Sequence, residues 1–183
     1  VCGFSGTDIK VRRRIVSSLS LLLILASCRR PLPLVETIEE EGGEFSSTIN
    51  AADAATAVQL LKGFHEVEGG AWRWTKAQFT VVLNTPQNAP KNGGALTLRY
   101  SLPDAVLSRT GPIRLSVNVN GVPVRTDLLT KSGDQVYTAD VPANALSVPT
   151  SNIEFALDKF LAAGTVEIRE LGLIFFSATL SAK

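Results

Sequence analysis

The stretch Ile113-Arg-Leu-Ser-Val-Asn-Val-Asn-Gly-Val-Pro-Val-Arg-Thr-Asp-Leu-Leu129 alternates apolar and polar residues, breaks at Asn120-Gly121, and resumes. In an extended chain Ile113, Leu115, Val117 and Val119 share one face, with Arg114, Ser116 and Asn118 on the other. Asn and Gly both tolerate positive φ, so Asn120-Gly121 closes a two-residue hairpin. Pro123 has no N–H to give to a ladder, which places the second run at a sheet edge or at a bulge.

The same period extends on both sides of this hairpin. Leu96, Leu98, Tyr100 and Leu102 alternate with Thr97, Arg99 and Ser101. Further strands are expected at 77–83, 135–141, 152–158 and 171–181. The last carries Leu171, Leu173 and Phe175 on one face and Ile174 and Phe176 on the other, so it should lie centrally or be covered. Turn signals separate the runs: Thr85-Pro86, Asn92-Gly93-Gly94, Gly111-Pro112, Ser132-Gly133-Asp134 and Val148-Pro149. Seven or eight short strands without crossover helices predict an all-β fold, a single two-sheet antiparallel β-sandwich over 63–183. Ahead of it, Ala51 to Lys62 is alanine-rich, with Asn50 placed to cap its start and Gly63 to end it. Ala54, Ala57, Val58 and Leu61 form an apolar stripe, which predicts one short helix over 51–62.

The N-terminal region has a different grammar. Arg12-Arg13-Arg14 precedes an apolar run of 12 residues, Ile15 to Ala26. Spanning a bilayer takes about 20 residues, so the layout is that of a secretory signal. Leu25-Ala26-Ser27-Cys28 resembles the lipobox of bacterial lipoproteins, which implies cleavage before Cys28 and lipid on its sulfur. Residues 1–27 are then expected to be removed, with 1–10 an over-extended start before Val11. Residues 28–50 follow as the lipidated cysteine and a tether. Its prolines, the Glu39-Glu40-Glu41 run and Gly42-Gly43 leave little to pack, and a coil of 22 residues reaches roughly 25 Å. Arg29 after the cysteine, where aspartate commonly retains lipoproteins in an inner membrane, favours the outer membrane of the cell envelope.

The four basic residues and one acidic residue before Cys28 leave 14 basic against 16 acidic side chains after it. That balance offers nothing to a phosphate backbone, so no nucleic-acid partner is expected. Cys28 would be the only cysteine of the processed chain and would carry lipid, so the fold must rely on its core. His65 is the only histidine. A triad needs a base beside a nucleophile and a zinc site several His or Cys ligands. No cofactor or metal is therefore expected. Glu66, Glu68, Asp127, Asp140 and Glu154 are carboxylates whose spacing couples none of them across a cleft, as a glycan hydrolase would require. The chain is expected not to be an enzyme.

One segment stands apart: Gly63-Phe64-His65-Glu66-Val67-Glu68-Gly69-Gly70-Ala71-Trp72-Arg73-Trp74-Thr75. In a strand Trp72 and Trp74 project to one face and Arg73 to the other. The indoles serve as core filler or as a stacking platform for a sugar ring, and burial is expected for at least one. Arg73 is expected either to pair with Glu68 or Glu66 and pin the turn, or to be presented with Glu68 to a polyol ligand.

These residues carry a resemblance. Phe64, Glu68, Gly69, Arg73, Trp74 and Thr75, the Asn120-Gly121 hairpin, Phe160, and the closing Arg169, Leu171 and Gly172 are similar to small jelly-roll-like modules. Such modules are found in bacterial envelope proteins and attached to bacterial glycosyltransferases. The likeness spans 63–180. This chain departs from the pattern at Leu161-Ala162-Ala163 and Glu167, where family members often carry proline and aspartates. The resemblance implies a β-sandwich with a carbohydrate-related, non-catalytic role. The expectation is a membrane-anchored lipoprotein whose sandwich binds envelope glycan through Glu68, Trp72, Arg73 and Trp74. The alternative is a structural or assembly lipoprotein that holds an envelope protein at the membrane through a sheet edge or an apolar patch.

Overall fold

The computed structural model describes residues 45–164 and 167–183. The expectations for the signal segment, Cys28 and the tether as far as residue 44 lie outside the described residues. Among the described residues there are nine strands: β1 Thr48–Asn50, β2 Leu60–Glu68, β3 Trp72–Asn84, β4 Gly94–Leu102, β5 Ile113–Val119, β6 Val122–Leu129, β7 Gly133–Val141, β8 Thr150–Leu157 and β9 Ile174–Ala182. Every pairing is antiparallel.

One layer runs β6-β5-β8-β3 and the other β9-β4-β7, with β1 added on β9. Strand β3 joins the layers. Its Gln78–Asn84 part bonds to β8, whereas Arg73 and Trp74 bond to β9, and β2 follows β3 as a hairpin partner. The result is the expected two-sheet antiparallel sandwich.

Between the layers lie the apolar faces read from the sequence. Leu96, Leu98 and Leu102 of β4, and Ile113, Leu115 and Val119 of β5, have no accessible surface. Phe79 stacks on Phe155 across the β3–β8 pair at 4.7 Å, and Phe64 meets Phe79 and Phe175 edge-on. Burying such a side chain contributes about 1.5–3 kcal/mol relative to exposure.

Asn120 and Gly121 have φ of 49° and 79°, as the hairpin requires. Asn120 does more than turn the chain: its amide bridges the Ala145 carbonyl and the Asn152 N–H. Pro123 sits at both of its expected places. Strand β6 is bonded only to β5, and the register slips between Val117–Arg125 and Asn118–Pro123, a bulge at Val124. Strand β9 is central, with β4 on one side and β1 and β3 on the other. It starts at Ile174 and not at 171, so Leu171 and Leu173 lie in the segment before it, and a bulge at Phe176 shifts its register: Arg99 pairs with Ser177 but Tyr100 with Phe175.

The helix expected over 51–62 does not form. After a turn at Ala51-Ala52 and a second at Ala54–Thr56, the chain makes a single 3-10 turn at Ala57–Gln59 and enters β2 at Leu60. Tertiary bonds override alanine's helix propensity here. Buried Gln59 bonds in both directions to the Ser46 backbone and donates to the Val82 carbonyl. Asp53 takes the Ala55 N–H that a helix would use. The stripe is likewise corrected, because Val58 and Leu61 are exposed. Gly63 ends no helix; it is a bulge in β2 with φ of 80°, where a Cβ would lie 2.0 Å from the Gln78 carbonyl oxygen. The tether expected to run to residue 50 stops sooner, since β1 pairs with β9 and Ile49 is wholly buried. Two short helices join the strands without having been expected, α1 Ala89–Asn92 and α2 Asp104–Thr110.

Candidate functional site

The segment singled out in the sequence is the β2–β3 hairpin and its tip. Gly69 and Gly70 both take positive φ, 58° and 64°, and the Ala71 N–H donates to the Glu68 carbonyl. Against this hairpin lies the chain from Glu167 to Leu173, which leads into β9.

Glu68 does not pair with Arg73. It accepts from Nη1 of Arg169 at 2.5 Å, a partner 101 residues away. Arg169 also forks onto Glu167, donating from Nε at 2.9 Å and from Nη2 at 3.0 Å. The Arg169 side-chain bonds, reinforced by its backbone N–H, hold the Glu167 carboxyl down to about 2. The two carboxylates push the Arg169 guanidinium upward, Glu167 more than Glu68. The expected local pairing of Arg73 is thus corrected. Arg73 donates to two backbone carbonyls, Ala51 at 2.7 Å and His65 at 3.0 Å, tying the turn after β1 to β2.

The rest of the hairpin is bonded in the same way. His65 donates from Nε2 to the Glu170 carbonyl at 2.7 Å, and the Glu170 carboxylate accepts the Ala77 N–H at 2.6 Å. Thr75 exchanges backbone bonds with Gly172 and Leu173, and its hydroxyl accepts the Leu173 N–H. A Cβ on Gly172 would fall 2.7 Å from a Leu157 methyl and 2.8 Å from the Lys76 carbonyl oxygen. Only glycine fits that approach.

The conspicuous motif residues Glu68, Thr75, Arg169 and Gly172 therefore form one clamp that docks the β8–β9 connection on the hairpin, while Arg73 ties the hairpin to the turn after β1. Sequence spacing could show the Glu167–Arg169 pair, two apart in an extended chain. It could not show that Glu68 belongs beside them, or that Glu170 reaches the Ala77 N–H. Glu66 is exposed, and Asp127 pairs with Arg125 two residues away. Among the described residues no group of three or more His, Cys, Asp or Glu side chains could hold a metal ion, and no helix is long and apolar enough to cross a membrane.

Trp72 and Trp74 lie edge to face, with ring centres 6.3 Å apart. Trp74 is half-buried against the core. Trp72 is half-buried as well, but it packs on Trp74 and the Gly69 turn and not on the core; a Cβ added at Gly69 would sit 3.2 Å from its Nε1. Of the four candidate ligand residues, Glu68 and Arg73 are bonded within the protein and Trp74 is packed. Trp72, half-buried like the others, is neither bonded to a partner nor packed on the core among the described residues.

The chain matches no family model and no curated protein. Solved structures resemble it in chain path. The 4-O-methyl-α-glucuronidase BtGH115A of family GH115 is 12% identical over 74% of this chain, with a TM-score of 0.47; this chain spans 17% of its length. A family 36 carbohydrate-binding module solved with calcium and xylotriose is 11% identical over 73% of this chain and 98% of its own, with a TM-score of 0.40. The family 35 carbohydrate-binding module from Clostridium thermocellum is 9% identical over 74% of this chain and 98% of its own, with a TM-score of 0.43.

Proposed function

We propose that this chain is a non-catalytic binding module of the bacterial cell envelope, anchored by lipid on Cys28 and holding envelope glycan on its sandwich. The observation that carries the ligand class is Trp72. Its half-buried indole is braced by Trp74 and by the Gly69 turn and is not used by the core, and such a ring suits the apolar face of a sugar. The non-catalytic reading is supported by how the nearby carboxylates are used. Glu68 and Glu167 are bonded to Arg169 and Glu170 to a backbone N–H, so each of the three carboxylates already holds a partner within the fold. The anchor rests on the lipobox and on Arg29, which directs the protein to the outer membrane.

The test is retention of the full chain, extracted in detergent, on insoluble glycan prepared from the host envelope. Wild-type protein is expected to stay bound and Trp72→Ala to elute, while its thermal unfolding stays unchanged. Equal retention of the two overturns the role of Trp72, and elution of both overturns glycan binding. In fractionated cells Cys28→Ser is expected to leave the membrane, and its persistence there overturns the anchor.

A second reading is a scaffold that holds a protein partner. What favours it is Val58 and Leu61, exposed at 72% and 52% where the chain enters β2. A stable envelope protein cross-linked through this ledge, with no glycan retention, would replace the first reading.

A further inference from the structure

The outer face of the β6-β5-β8-β3 layer carries a feature separate from the hairpin clamp. Four side chains stand in one straight row across four strands. Lys62 of β2 is the register partner of Thr80 of β3, Thr80 of Glu154 of β8, and Glu154 of Asn118 of β5. Paired strands lie about 4.8 Å apart, so the row brings an ammonium, a hydroxyl, a carboxylate and an amide into one line. In the next row Gln78 faces Ala156. The small Ala156 leaves the floor low, and Lys62, Gln78, Thr80, Asn118 and Glu154 surround a hollow of about 200 Å³.

Two observations set this hollow apart from ordinary sheet surface. Among the described residues the side chains of Lys62, Gln78, Asn118 and Glu154 make no hydrogen bond or ion pair, whereas the hairpin's polar groups are nearly all engaged. Thr80 is only 5% exposed, and its Oγ1 is buried with no partner. A buried hydroxyl left unpaired costs about 1–3 kcal/mol, so native proteins seldom leave one without a reason.

We propose that this hollow is a second binding site, for one neutral, hydroxyl-rich sugar residue. Lys62 and Glu154 offset each other, so neither an anion nor a cation is favoured. The amides, the Lys62 ammonium and the Glu154 carboxylate line it with both donors and acceptors, which vicinal hydroxyls answer in kind, and the unpaired Thr80 hydroxyl lies covered at its base. The volume is below the several hundred Å³ of a drug-sized pocket and suits a single ring. Its apolar floor is little more than Ala156, so recognition is by hydrogen bonding, unlike the indole surface at the hairpin. The site rests on the glycan reading for its ligand class and not for its location.

The test is a 1H–15N NMR titration of the detergent-solubilised full chain with methyl β-D-glucopyranoside and methyl β-D-galactopyranoside. The expected result is saturable, millimolar shifts of the Thr80 and Ala156 amides and the Gln78 and Asn118 side chains with at least one probe. Thr80→Val and Glu154→Gln are each expected to weaken that binding about 10-fold. Thr80→Val should leave thermal stability unchanged or higher, since the hydroxyl it removes has no partner, and this separates a ligand role from a structural one. Shifts confined to the Trp72 and Trp74 indoles overturn the hollow and leave the hairpin reading standing. Absence of shifts with both probes overturns the hollow alone, because the hairpin reading is judged on polymeric glycan. Unaltered affinity in both variants also overturns it.

Discussion

Arg169 shows how much one side chain can hold when it is reached from both sides. It joins Glu68 of the hairpin to Glu167 of its own loop, and it is itself about one-third exposed. Isolated pairs at such exposure contribute only about 0–1 kcal/mol; the fork onto Glu167 adds geometry more than energy. A carboxyl held low stabilises the folded state fully above its unfolded value, near 4.5, and that contribution is lost as pH falls toward about 2. The Glu167 carboxyl carbon, followed by NMR, is therefore expected to titrate near 2, and Arg169→Gln to return it toward 4.5. An unchanged midpoint would show that Arg169 is not the cause. The residues of this clamp were legible one by one in the sequence, but their partnerships were not. Glu68, Arg73 and Arg169 stand out as charges in an apolar segment, yet which charge meets which depends on a contact that closes across about a hundred residues. The Thr80 row was invisible for the same reason: Lys62, Thr80, Glu154 and Asn118 become neighbours only through strand register.

At the scale of elements, the regular strands followed from period alone and the irregular ones did not. β4, β5 and β8 alternate because one face is buried and the other solvated. β2 does not alternate, because three register shifts, one with Gly63, break its pairing. Alanine content then pointed to a helix, and the Gln59 and Asp53 bonds that decide otherwise are tertiary or turn-specific. The free margins of the two layers pose a different problem, since β6 and β7 each carry an unpaired edge. Arg125 spans them: it donates to the Thr138 carbonyl at 3.0 Å, its own carbonyl accepts the Tyr137 hydroxyl at 3.1 Å, and its guanidinium lies 5.8 Å from the Tyr137 ring centre. Burial, with Asp127 adding to it, pushes the Tyr137 phenol up to about 12, so this contact is uniform across physiological pH. Arg125→Ala is expected to speed amide exchange along β7 near Thr138. Exchange that stays as slow as in the wild type would mean the edges close without it.

For the molecule as a whole, the domain begins earlier than its alternating pattern does. β1 is three residues long, but Ile49 is fully buried and Ser46 is bonded to Gln59. Ile49→Ala is expected to destabilise the fold by about 2–5 kcal/mol, read as a lowered urea midpoint with an unchanged slope. A loss below about 0.5 kcal/mol would place β1 outside the cooperative unit. A strand this short and polar at its ends, with exposed Thr48 and Asn50 flanking one isoleucine, carries no periodic signal, and proximity to a Gly- and Glu-rich segment disguises it further.

The position of β1 has a mechanical consequence. A pull arriving along the chain from residue 45 meets the bonds of Ser46 to Gln59 and Asn84 and then β1, which is laid against β9 in the middle of a layer. The load thus passes directly into the interior ladder, with Thr48 opposite Thr179 and Ala51 bonded to the Phe176 carbonyl. Three residues bear it before the nine-residue strand they lean on is disturbed. Under tension β1 acts as the weakest coupling in series with the sandwich. Because Arg73 of the hairpin donates to the Ala51 carbonyl, a pull that strips β1 from β9 also draws on the hairpin that carries Trp72 and Trp74.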